Sequence, residues 1–288
     1  MLRNNQIVPA VMFHSVGLET LPWTWSHISE PIELFESKIK LIAENFNTVF
    51  WNDLYQYMNN ELELPENSIL LTFDDGYLDN WLLVYPIIKK YGVKITIFVN
   101  PEFVDNNNET CRTLNSQSVE GIAGFLNWQE MREMEKSGLV DIQSHAMSHT
   151  WFFSGPSIVD FYNHDRIEKY PWIRWNTEQD QKAFYLTDFA DRSHYFGSIV
   201  LEHKKSLTVK RFFPDEEIMM KLKGFIVNNA PNADWHRDTL KFLQQISASK
   251  TIPGVYETDA EQQERFYYEL SASKKIIEQN LHKSVDFL

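Results

Sequence analysis

The stretch SILLTFDDGY, residues 68–77, decides how this chain is read. Ser68 to Phe73 is a short apolar run with β-branched and aromatic character, too brief for a surface helix and suited to a buried strand. Two carboxylates, Asp74 and Asp75, follow at the strand's C-terminal end, and Gly76 marks a turn. In α/β barrels that end of a strand, where it passes into a loop, carries the catalytic groups. Adjacent carboxylates repel, so keeping both ionised requires a cation or hydrogen-bond donors nearby. Taken alone, Asp-Gly is a common pair in plain turns.

Working outward, short apolar runs alternate with helix-like segments. Ile7 to Phe13 reads as a strand, and residues 35–45 as a helix with Phe35, Ile39 and Ile42 on one face. Leu82 to Lys90 reads as a helix ended by Gly92, and residues 94–100 (KITIFVN) as a strand. A helix over Trp128 to Lys136 and a strand over Leu139 to Gln143 continue the rhythm. Strand, helix, strand, helix is the pattern of a parallel sheet, so this half is α/β.

A second cluster, His145 and His149 in SHAMSH (144–149), follows the last of these strands. Histidines four apart on a helical turn share a face and can share a metal; two unrelated loop histidines are the plainer reading. The two clusters end parallel strands, so both belong to one rim of the sheet. One carboxylate and two imidazoles give a metal three protein ligands and leave positions for water and substrate. The same set also describes a non-haem iron oxygenase, but there a second adjacent aspartate has no task.

After Thr150 the rhythm weakens. Residues 151–262 hold 19 of the chain's 41 aromatic residues, which reads as an insert building its own core or as a platform for stacking sugar rings. Within it, Tyr195 to His203 and Ser206 to Phe213 read as a hairpin, and residues 214–228 and 238–246 as helices. Residues 264–281 read as one amphipathic helix, and KSVDFL (283–288) as the start of another strand. The expected division is therefore 1–150, an insert at 151–262, and a return to the first domain at 263–288.

Composition narrows the partners. Forty acidic against 27 basic residues give a net charge of −13, a surface that repels phosphate backbones and argues against nucleic acid. A single cysteine allows no internal disulfide and no cysteine-based zinc cluster. No apolar run is long enough to span a bilayer and the N-terminus carries no secretory pattern, so the expectation is a cytoplasmic protein that is not transmembrane.

The paired motifs resemble those of the polysaccharide deacetylases of the NodB-homology family, carbohydrate esterase family 4. TFDDGY (72–77) is similar to the family's first motif and SHAMSH (144–149) to its second. VMFHSV (11–16), the run 125–145 and ELSASKKIIEQNLHKSV (269–285) extend the resemblance across about 1–150 and 264–288. It implies a distorted (β/α) barrel with the aromatic-rich insert. It also implies metal-dependent hydrolysis of an N-acetyl group from a carbohydrate, either a polysaccharide or a sugar precursor. Asp74 is then the general base, and Asp75, His145 and His149 hold a divalent metal, by default Zn2+. Tyr77, Arg211 and His236 are further candidates for substrate contact, and His14 for a structural hydrogen bond at the same rim. A lipid-linked or nucleotide-linked precursor suits the expected compartment.

The resemblance also implies further motifs after residue 285, including a histidine that protonates the leaving amine. The chain ends at Leu288, so the expected barrel is C-terminally incomplete. Arg211 and His236, with Asp234, are the groups available to substitute. An open sheet edge calls for a second copy or a partner chain to cover it. The alternative function is a remnant of the family that binds glycan or metal without turnover.

Overall fold

A computed structural model of the protein describes residues 7–17, 28–114, 122–162, 169–187, 193–229 and 233–288. The chain divides into two compact units. The first comprises Met1–Ser148, Asp180–Asp188 and Leu270–Leu288; the second comprises His149–Gln179 and Phe189–Glu269. Residues 180–188 thus return to the first unit, and the second extends to Glu269, features that the change of composition after Thr150 does not signal.

The first unit is built on parallel pairing. Strands β1 (Ala10–Phe13), β2 (Ser15–Val16) and β3 (Ser29–Glu30) precede helix α1 (Ile32–Asn45), strand β4 (Asn47–Val49) and helix α2 (Trp51–Met58). Strand β5 (Ser68–Asp75) leads through a wide π turn to helix α3 (Tyr85–Tyr91) and strand β6 (Ile95–Val99). Helix α4 (Trp128–Lys136) then delivers strand β7 (Val140–Ser144). The main sheet runs β1-β5-β6-β7, all parallel, with β4 alongside the first half of β5. Among the described residues this is an open five-stranded sheet, the fold class anticipated from the alternating pattern, without a closed ring of strands.

Burial explains the order. Residues 69–73 of β5 and all of β6 are buried, as expected of strands at the centre of a parallel sheet covered on both faces. Phe35 of α1 meets Phe13 and Phe73 edge-on, at 5.4 and 5.8 Å, while those two rings stack at 5.1 Å. This aromatic trio is large, rigid apolar surface placed directly beneath the end of β5 that carries the aspartates. Asn127 caps α4, accepting from the Glu130 N–H at 2.8 Å, and the Glu130 carboxylate returns a bond to the Asn127 N–H. Gly92 closes α3 with φ 69°, the left-handed angle that glycine adopts without strain.

The C-terminal segment differs from expectation in two respects. The amphipathic stretch is helical to Leu281 but is widened by a π turn over Tyr267–Ala272. Residues 283–288 form no strand. They run beside β7, where Phe287 O accepts from the Ser144 N–H at 3.3 Å and the Gln143 amide oxygen accepts from the Asp286 and Phe287 N–H groups. Because the Gln143 side chain takes those donors, the segment lacks a regular ladder.

The second unit pairs strand β8 (Trp151–Phe161) antiparallel with strand β9 (Ile199–Lys205), and strand β10 (Phe212–Pro214) with strand β11 (Gly254–Tyr256). It also holds helices α5 (Pro171–Thr177), α6 (Glu216–Asn228), α7 (Trp235–Ser247) and α8 (Asp259–Phe266). The expected hairpin of 195–203 with 206–213 does not form. Arg265 takes the carbonyls of Ser206 and Val209, so residues after the turn leave β9 instead of folding back on it. Tyr170, Trp172, Trp175 and Tyr195 are buried, so these aromatics build core. Among the described residues no helix is long and apolar enough to cross a membrane.

Candidate functional site

The site begins with backbone geometry at the end of β5. Asp75 has φ 73° and Gly76 φ 68°, two successive left-handed residues. Aspartate tolerates this region better than most residues, and such strain concentrates at functional positions. Gly76 is required for a second reason: a Cβ there would lie 2.8 Å from Val99 Cγ1. The Asp-Asp-Gly sequence is therefore what allows the strand to turn sharply against β6 while presenting its carboxylates.

The two aspartates then face different partners. Asp74 Oδ2 lies 4.0 Å from His14 Nε2, just beyond β1. Asp75 Oδ1 lies 3.6 Å from His145 Nε2, just beyond β7. Asp75, His145 and His149 each offer a ligand atom, and these atoms lie within 4.8 Å of one another. Asp75 is buried and both histidines are half-buried.

The histidines reach this arrangement by a route other than the helical turn that their spacing suggested. Residues 145–150 form an irregular loop in which Ala146 and His149 are left-handed, with φ 64° and 43°. The loop is held by its backbone: the His145 N–H donates to Val99 O at 2.9 Å, and the Ala146 N–H to Ser144 Oγ at 3.2 Å.

The donor set fits a divalent metal. Two ligands on a tetrahedral zinc stand roughly 3.4 Å apart, from bond lengths of about 2.0–2.1 Å. The 3.6 Å between Asp75 and His145 is close to that spacing. Two neutral imidazoles and one carboxylate suit Zn2+ and do not distinguish it sharply from other first-row ions.

Tyr77 lies under this group. It is buried, stacks on Phe125 at 5.2 Å, and bonds to the Asp75 carboxylate. Burial, then the charges of Asp75 and Asp79, hold its phenol well above the usual range, so it remains a neutral donor. Asp79, completely buried, is pushed up to about 7 by desolvation, against hydrogen bonds from Ser15, Asn80 and the Val16 N–H. Sequence reading passed over Asp79; its place five residues after Asp74 gave no chemical cue.

Arg211 and His236 belong to the second unit. The Arg211 guanidinium lies between the rings of Phe152 and Phe213, 4.3 and 4.7 Å from their centroids, and the backbone N–H of Arg211 donates to Glu257 Oε1. His236 Nε2 is 3.0 Å from Ile158 O. The structure thus assembles Asp75, His145 and His149, sets Asp74 beside His14 and Tyr77 against Asp75, and gives Arg211 and His236 local partners in their own unit.

Comparison with known proteins bears on this arrangement. Residues 61–196 match the family model for polysaccharide deacetylases. The chain is 27% identical over 143 residues to YxkH, a polysaccharide deacetylase homologue of Bacillus subtilis, covering 49% of this chain and 43% of that protein. It is 32% identical over 83 residues to the poly-β-1,6-N-acetyl-D-glucosamine N-deacetylase of Escherichia coli K12, covering 29% of this chain and 12% of that one. The chain thus spans less than half the length of these curated relatives. In fold, it is similar to a de-N-acetylase from Aggregatibacter actinomycetemcomitans, with TM-score 0.54 at 18% identity over 96% of this chain and 76% of that one. A deacetylase domain from Bordetella bronchiseptica gives TM-score 0.54 at 17% identity over 96% and 77%. Residues 61–196, which carry both motifs at the ends of parallel strands, thus resemble the polysaccharide deacetylase family over just under half of the chain.

Proposed function

We propose that this protein hydrolyses the N-acetyl group of an N-acetylated carbohydrate, releasing acetate and a free amine. The observation that carries the reading is the convergence of Asp75, His145 and His149, with Asp74 next to them outside the ligand set. Asp75, His145 and His149 would hold a divalent ion, zinc by default. Such an ion supplies Lewis acidity toward an acyl oxygen and makes water more acidic.

The remaining work falls to the protein's own groups. Asp74 serves as general base, withdrawing the proton of the attacking water. His14 stands beside the Asp74 carboxylate and limits its orientation. Tyr77 donates to Asp75 and, stacked on Phe125, keeps water away from the buried side of that carboxylate.

For substrate class, the name of the E. coli relative supports a polymer of N-acetylhexosamine over a nucleotide-linked precursor. The test is acetate release from poly-β-1,6-N-acetylglucosamine, chitin oligomers and UDP-N-acetylglucosamine, by zinc-loaded protein and by its Asp74→Asn variant. Release that depends on Asp74 supports the reading. Glycan binding with no acetate released by either form would identify a non-hydrolytic remnant instead.

A further inference from the structure

Four successive carbonyls of the 145–148 loop are held in place by side chains and backbone from elsewhere in the first unit. Asn100 Nδ2 donates to the carbonyls of His145 and Ala146, the latter at 3.2 Å. The Glu102 N–H donates to Met147 O at 3.3 Å, and Lys182 Nζ donates to Ser148 O at 3.1 Å. Asn100 and Glu102 follow β6 directly. Lys182 lies 34 residues beyond Ser148, in a short 3-10 helix, Gln179–Phe184.

Lys182 is 1% exposed, an unusual place for an ammonium. Its charge is met by an ion pair with Glu102, and its head lies 5.5 Å from the Phe103 ring centroid. A buried lysine without such a partner would be costly, so the pair makes the burial tolerable. What the burial achieves is a bond to one particular carbonyl, the one in the peptide that joins Ser148 to His149.

We propose that Lys182 is a positioning residue for the metal site: with Glu102 it fixes the Ser148–His149 peptide and so the direction in which His149 leaves the loop. This rests on the metal reading above. The loop needs such an anchor because Ala146 and His149 both sit in the left-handed region, which non-glycine residues leave readily unless the surroundings determine them. Asn100 and Glu102 secure the loop as far as Met147. Lys182 secures its last peptide before the second histidine, from a distant part of the chain.

The experiment compares the unaltered protein with Lys182→Met, the double variant Lys182→Met/Glu102→Gln, and His145→Ala. Zn2+ affinity is read by chelator competition, the Co2+ form by its visible absorption, and folding by circular dichroism and melting temperature. Lys182→Met is expected to bind Zn2+ about 10–100-fold more weakly, as removal of groups that support metal ligands generally does. Its Co2+ spectrum should also change.

The double variant leaves no unpaired buried charge, so it should recover melting temperature. It should not recover affinity, because the bond from Lys182 to the Ser148 carbonyl is still absent. Affinity that returns in step with stability, or unchanged affinity in folded Lys182→Met, would overturn the proposal. If Lys182→Met does not fold, the double variant decides alone. An unaltered protein that binds no ion, or binds it as tightly after His145→Ala, overturns the metal reading itself and this proposal with it.

Discussion

His14 Nε2 stands 4.0 Å from Asp74 Oδ2, while the adjacent Asp75 is turned toward His145. Neighbouring carboxylates of one strand are thereby given separate partners, one imidazole beside the proposed base and two beside the proposed ligand. Asp74→Asn should lower kcat about 10²–10⁴-fold, the range for loss of a positioned base. Bound metal, measured by elemental analysis, should stay near stoichiometric. His14→Phe should lower kcat by less and leave KM nearly unchanged. Loss of metal from Asp74→Asn would contradict this division of roles.

Removal of the ion should be reversible. Dialysis against a strong chelator is expected to abolish acetate release, and Zn2+ or Co2+ should restore it. Asp75→Ala and His145→Ala should resist restoration at any ion concentration that leaves the protein soluble. Chelated protein that retains full turnover would exclude a metal role for Asp75, His145 and His149.

Gly76→Ala tests the turn itself. The residue is left-handed and a Cβ would press on Val99 at 2.8 Å, so alanine is both strained and crowded. The expected loss of stability is about 1–3 kcal/mol, read from urea unfolding, with weaker metal binding because Asp75 is the preceding residue. Gly138→Ala is the control: that glycine is also left-handed, but no atom lies within 4 Å of its Cβ position, so it should cost less.

Asp79 gives a pH signature. Its carboxyl is raised from 3.8 to about 7 by burial, so the folded state holds a proton that the unfolded state has released between those values. Stability must then fall as pH rises from about 4 to about 7, and the full cost of the buried charge is present above 7. Asp79→Asn should remove this dependence. The melting-temperature difference between the variant and the unaltered protein should favour the variant at pH 8 and shrink or reverse at pH 5. A difference that is constant across that range would refute the assignment.

The legible part of this molecule is the part governed by local chemistry. The apolar runs of β5 and β6 are buried on both faces, and Gly92 marks a helix end through the backbone angle that glycine favours. That one carboxylate of the Asp74–Asp75 pair shares a rim with His145 and His149 could be expected from residue type and strand ends, while the choice of Asp75 as the proposed ligand came only from the resemblance to the deacetylase motifs. The loop conformation could not be expected, since His-x3-His is equally compatible with a helical turn and the left-handed angles at Ala146 and His149 depend on hydrogen bonds with residues 99–102. The hairpin failed for a similar reason. Nothing local in HKKS reveals that Arg265, some sixty residues on, claims the carbonyls that a returning strand would use. Lys182 left no trace in the sequence because an isolated lysine is ordinarily a surface residue.

The separation of Lys182 from the loop it holds has a temporal consequence. Contacts between distant residues close late, since the intervening chain must first give up its freedom. Glu102 and Lys182 are 80 positions apart. A ribosome that had released only residues 1–150 would have presented all three proposed ligands but not the lysine. Ion capture at full strength would therefore wait on Lys182, and between the synthesis of His149 and that of Lys182 a nascent chain would carry a site that is assembled in composition and still loose in geometry.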